Sequence, residues 1–149
     1  MIKKIFVIIS VLFVLPVCVF SFELGLIGGT INKPTESIYG ISGTSGFIIP
    51  LLKFEVEYYN LAKRKWEAVT GGVKLRKKFG KFAPYAVVGV GAEFPNLTFH
   101  TSQYETFLFV GGGVHYHFAG FFSLRADIRF QNFSEKNKTR LSVGIFAHI

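Results

Sequence analysis

The chain has 149 residues, half of them hydrophobic and 17% charged, with 18 Phe and 16 Gly, which is too apolar for a disordered protein and sized for one domain. The formal net charge of +8 suits phosphate-bearing partners. One cysteine, Cys18, excludes a disulfide framework and a thiolate metal site.

Met1, Ile2, Lys3 and Lys4 form a short basic region, and residues 5–20 follow without a charge. Val19 and Ser21 stand third and first before a cut ahead of Phe22. This is the layout of a cleaved secretory signal, so residues 1–21 are assigned to export and 22–149 to the mature domain. A retained anchor helix is the alternative, because the run approaches the roughly 18 residues that span a bilayer. Pro16 and Val17 ahead of Cys18 make a poor lipidation site. Without Lys3 and Lys4, 15 basic and 9 acidic residues remain. In an exported chain, lipopolysaccharide and anionic phospholipid come before nucleic acid as partners.

From Phe22 onward the pattern has period two, the spacing of strands. Two Gly- and Ser-rich strands are expected near 22–30 and 38–49. Phe54, Val56 and Tyr58 then alternate with Lys53, Glu55, Glu57 and Tyr59, and Val69, Val73 and Leu75 with Thr70, Lys74 and Arg76. Ala86, Val88, Val90, Ala92 and Phe94 alternate with Tyr85, Gly89, Gly91 and Glu93. Leu108, Val110, Val114 and Tyr116 alternate with Phe107, Phe109, Gly111, Gly113, His115 and His117. The last two strands are clearest: Leu124, Ala126, Ile128 and Phe130 oppose Arg125, Asp127 and Arg129, while Leu141, Val143 and Ile145 oppose Arg140, Ser142 and His148. Tight links fall around Pro50, Gly80 and Gly120, and longer polar segments at 32–36, 61–65, 95–104 and 133–138. The expected fold is an all-β, eight-stranded antiparallel up-and-down transmembrane barrel, with one turn end and one loop end.

Alternation alone does not say which face is inside. A lipocalin-like soluble barrel puts the aliphatic stripe inward, whereas a membrane barrel puts it toward lipid. Gly89, Gly91, Gly111, Gly113 and Gly144 share the charged face, where they make room for long side chains to cross an interior. That face carries Glu23, Glu55, Glu57, Glu93 and Asp127 against Lys53, Lys74, Arg76, Arg125, Arg129 and Arg140, a set able to pair into a nearly neutral lumen plug. Tyr58, Trp66, Phe94 and Tyr104 lie toward the loop end, and Phe82, Tyr116, Phe118 and Phe121 toward the turn end, as two aromatic girdles would.

Gly111, Gly113, Val114, Tyr116 and Phe118, followed by Phe122-Ser123-Leu124-Arg125, Asp127 and Arg129, resemble the recurring signature of OmpA-like small outer-membrane barrels. Pro84-Tyr85 with Gly89 and Gly91 is similar to the preceding strand of that family. The resemblance implies residence in the outer membrane and insertion by the barrel-assembly machinery, which reads the C-terminal strand. Family members usually end in an aromatic residue, and here Ile149 stands last. The likeness does not extend to the peptidoglycan-binding domain of larger relatives.

An eight-stranded barrel is filled by its own side chains, so a diffusion porin is not expected. Lipid A deacylases carry a His-x-Ser pair on a late strand, and the local match here is Asn132-Phe133-Ser134, whose Asn cannot accept the serine proton. His100, Ser102 and Glu105 supply the residue types of a hydrolytic triad without a sign of an oxyanion hole. His115, His117 and His148 lie near one barrel end, and without a matching carboxylate they are read as lumen residues, not metal ligands. Lys33, Lys63, Arg64, Lys65, Lys136 and Lys138 form the expected lipopolysaccharide contact, and Lys77, Lys78 and Lys81 face lipid headgroups at the other end. The reading is a monomeric, non-enzymatic envelope protein with no cofactor and no metal. A lipid-modifying hydrolase and a soluble periplasmic ligand-binding barrel are the alternatives.

Overall fold

The computed structural model describes residues 21–46, 49–95 and 104–149; the export segment 1–20 lies outside them. Eight strands follow one another: β1 (Phe22–Ile31), β2 (Glu36–Gly46), β3 (Leu52–Leu61), β4 (Trp66–Arg76), β5 (Phe82–Pro95), β6 (Glu105–Ala119), β7 (Phe122–Phe133) and β8 (Asn137–His148). Each pairs antiparallel with its chain neighbours, and β1 pairs β8 from Glu23–His148 to Ile31–Arg140, which closes the barrel. Closure leaves no strand edge unpaired, the condition for a sheet to span a bilayer.

The side chains sort as a membrane barrel requires. On β7 the pattern is strict: Leu124, Ile128 and Phe130 are exposed, while Arg125, Asp127 and Arg129 are buried. Val88, Val90, Leu108, Val110 and Val143 each expose more than half of their surface. A water-soluble barrel would have to leave this apolar band wet and its charges dry, both costly. In a bilayer the same arrangement is the stable one.

Three expectations need correction. β2 spans Glu36–Gly46 where 38–49 was expected. The asymmetry between turns and loops is weaker than expected among the described residues: 32–35, 62–65 and 134–136 are as short as the link 77–81 at the other end, and the expected polar segment 95–104 lies almost wholly outside them. Finally, the loop-end girdle loses Trp66, which shares its side of β4 with buried Ala68 and Thr70 and packs on the interior cluster of Ile31, Ile38 and Leu61. Phe94 is also mostly covered. The turn-end girdle holds: Phe82 and Tyr116 meet at 5.1 Å, and Phe118 and Phe121 are exposed.

Gly113 shows how tightly the interior is filled. A Cβ there would lie 2.6 Å from the Asp127 Cβ and 2.8 Å from the Tyr85 hydroxyl. Gly113→Val is therefore expected to destabilise the barrel by about 1–3 kcal/mol through overpacking, read as a lower urea midpoint in detergent. An unchanged midpoint would mean the lumen has slack at this level.

Candidate functional site: the charged lumen

The inward face of the sheet holds three tiers of charge. In the middle, Glu55 and Glu57 of β3 and Asp127 of β7 meet Lys74 of β4, Arg125 and Arg129 of β7, and Arg140 of β8. Arg125 reaches Glu55 at 2.9 Å and Glu57 at 2.6 Å, and Arg129 reaches the same two acids at 2.6 and 3.0 Å. Arg140 lies 2.7 Å from Glu57, and Lys74 bonds Glu55. Asp127 accepts from the Tyr85 hydroxyl at 2.7 Å and from Ser142 at 2.6 Å. All seven charged groups are buried, where an unpaired charge would cost several kcal/mol, about 3–5.

The cations also stand on aromatic rings, a partner that sequence reasoning did not assign. Arg125 lies over Phe146 at 4.6 Å, Arg129 over Phe109 at 5.1 Å, Arg140 over Tyr59 at 5.1 Å and Lys74 over Tyr85 at 4.3 Å. In a desolvated setting each such contact contributes up to about 2 kcal/mol. Phe107 and Phe109 share the inward face of β6 with His115. Phe109 supports the Arg129 guanidinium, and Phe107 meets Phe133 in a tilted contact at 4.7 Å.

At the loop end the structure moves two residues of the expected lipopolysaccharide contact inward. Lys138 is buried and bonds Glu93 at 2.7 Å, over the Phe133 ring. Arg64 turns from its loop to Glu36 at 2.6 Å and Glu93 at 3.2 Å, above Trp66. Glu36 and Lys138 thus belong to the lumen network. Lys136 pairs with Glu105 at 3.0 Å, while Lys33, Lys63 and Lys65 remain exposed.

At the turn end Arg76 forks onto Glu23, and Lys53 donates to Ser21 at 2.6 Å. Here His148 Nε2 lies 2.8 Å from Ser123 Oγ and His148 Nδ1 lies 3.4 Å from Glu23. The order Ser, His, Glu resembles a hydrolytic relay, but Ser123 is fully buried, receives a second contact from His115 at 3.2 Å, and sits on a strand paired along both edges. That pairing commits the neighbouring N–H groups to the sheet and leaves them unable to form an oxyanion hole. The cluster joins Ser123, His115, His148 and Glu23 in one hydrogen-bonded group at the turn end. No group of three metal-ligating side chains forms among the described residues.

Of the hydrolase alternative, His100 and Ser102 lie outside the described residues, and Glu105 is engaged by Lys136. Asn132 and Ser134 are exposed, while Phe133 between them is buried in the lumen.

No protein-family model matches the chain, and no curated protein matches it by sequence. Solved structures do. The N-terminal β-barrel domain of Pseudomonas aeruginosa OprF superposes with a TM-score of 0.73 at 18% identity, covering 87% of this chain and 97% of that one. Neisserial surface protein A gives 0.57 at 17% identity, covering 85% and 95%. The outer membrane enzyme PagL gives 0.54 at 9% identity, covering 84% and 98%. The fold is that of small outer-membrane β-barrels, a fold that serves both enzymes and non-enzymes.

Proposed function

We propose that this chain is a non-enzymatic protein of the outer membrane that reinforces the envelope, with a lumen closed by paired charge and with cationic loops that bind lipopolysaccharide phosphates. The observation that carries this reading is the sorting of the closed sheet, with apolar residues outside and bound charges filling the interior. A plugged lumen favours a structural or surface role over solute transport. Lys33 and the pair Lys63 and Lys65 stand on the first and third connections at one end, the third held to β2 by a hydrogen bond from Ala62 N to Ser37 O at 3.0 Å. They complement a phosphate-bearing saccharolipid better than the paired Lys136 or the buried Lys138.

The first test is expression with the export segment intact, membrane fractionation and gel mobility before and after boiling. Recovery with the outer membrane and a heat-dependent mobility shift are expected; recovery in the soluble periplasm would overturn the reading. Neutralising Lys63 and Lys65 to Gln should then weaken lipopolysaccharide binding by roughly 1 kcal/mol per charge, about thirtyfold together. Lipid A mass spectra should be the same with and without the protein. Acyl-chain loss abolished by Ser102→Ala would make the hydrolase the correct reading.

A further inference from the structure

The middle tier of the lumen is not electrically balanced. Glu55, Glu57 and Asp127 are three acids facing four bases, Lys74, Arg125, Arg129 and Arg140. The acids are all engaged by cations or hydroxyls, Glu57 Oε2 through an ion pair with Arg140 Nη1 at 2.7 Å that lacks hydrogen-bond geometry. Both Glu55 oxygens bind cations, both Glu57 oxygens lie within 3.0 Å of a guanidinium nitrogen, and both Asp127 oxygens accept a hydroxyl. The donors are not all engaged. Arg129 Nε and Nη1, and Arg140 Nε and Nη2, are buried with no hydrogen-bond acceptor among the described residues. These two arginines are direct partners across β7 and β8, and although Glu57 and Asp127 lie against both, the tier still holds one more positive charge than it has acids to offset.

We infer that the barrel centre binds one small monovalent anion of the halide class, held by the free N–H groups of Arg129 and Arg140. A water accepts hydrogen bonds but must also place two hydrogens, and beside these arginines the acceptors left without a hydrogen bond include Gln131 Oε1 on β7 and Glu57 Oε2, the latter already ion-paired with Arg140 at 2.7 Å. A halide only accepts, and it carries the one charge the tier lacks. Burial makes the balance matter, because both side chains are about 1% exposed or less and an uncompensated charge there is costly. The site is a structural counter-ion, set in place by Tyr59 and Phe109, whose rings cover the guanidinium faces.

The test is crystallisation of the membrane-extracted protein in bromide and location of bromide by its anomalous scattering. One peak within hydrogen-bond distance of both Arg129 and Arg140 is expected. Water alone at the centre, or bromide confined to surface sites, would overturn the inference without any variant being needed. In solution, replacing gluconate by chloride or bromide at equal ionic strength should raise the unfolding temperature of the wild type. Arg140→Gln, which removes the excess charge and keeps most of the volume, should lose that halide dependence. Retention of an equal dependence in Arg140→Gln would also count against the site.

Discussion

Replacing Glu57 by leucine is expected to destabilise the barrel by about 3–5 kcal/mol, the cost of removing one partner from a buried charge network. Glu57 is fully buried and touches three guanidiniums, those of Arg125, Arg129 and Arg140. Leucine fills the space but accepts nothing. Arg125 and Arg129 would still reach Glu55 and Asp127, whereas Arg140 would be left with Asp127 at 3.6 Å. Glutamine keeps one carbonyl oxygen and should cost less. The double change Glu57→Leu with Arg140→Met should recover part of the loss, because replacing a buried pair by apolar groups is often neutral. The measurement is reversible urea unfolding in micelles, followed by Trp66, the sole tryptophan, whose ring is packed on the interior cluster. A loss under about 1 kcal/mol would mean that the central ion pairs are incidental to stability, against the entire account of a charge-filled core.

The faces of the sheet could be read from the sequence because the two solvents of this barrel are opposites. Lipid outside and charge inside leave Arg125, Asp127 and Arg129 on one side of β7 and Leu124, Ile128 and Phe130 on the other, and a strand alternates with period two whatever its partners. Strand ends were harder. Lys138 is in phase with Arg140 and Ser142, and Trp66 with Ala68 and Thr70, so parity alone would have turned both inward. A lysine beside a loop and a tryptophan near a membrane boundary instead suggested solvent and interface, the more common environments of those residue types. Which acid meets which base was beyond reach. Arg125 and Glu55 are 70 positions apart, and their meeting depends on how the closed sheet staggers its strands. The aromatic partners of the cations were hidden for the same reason, since Phe109 and Arg129 are brought together only by that closure.

Val110→Arg is expected to cost about 2–4 kcal/mol in a bilayer, the penalty for a cation facing lipid near the midplane. Val110 lies near the middle of β6, is 57% exposed, and pairs across the outer face with Val88 and Phe130. The same substitution at Phe121, in the turn-end girdle, should cost about 0–1 kcal/mol, because a guanidinium there reaches the headgroups. This depth dependence separates the membrane reading from a soluble barrel more sharply than either cost alone. On a soluble barrel both positions face water, and an exposed arginine at either would change stability by no more than about 0.5 kcal/mol. Urea unfolding from lipid vesicles supplies the comparison. Equal small effects at Val110 and Phe121 would mean that the apolar band does not face lipid. A large loss at Val110 alone would show that the band is the surface the bilayer solvates, and that the charges inside are the ones the protein must pair by itself.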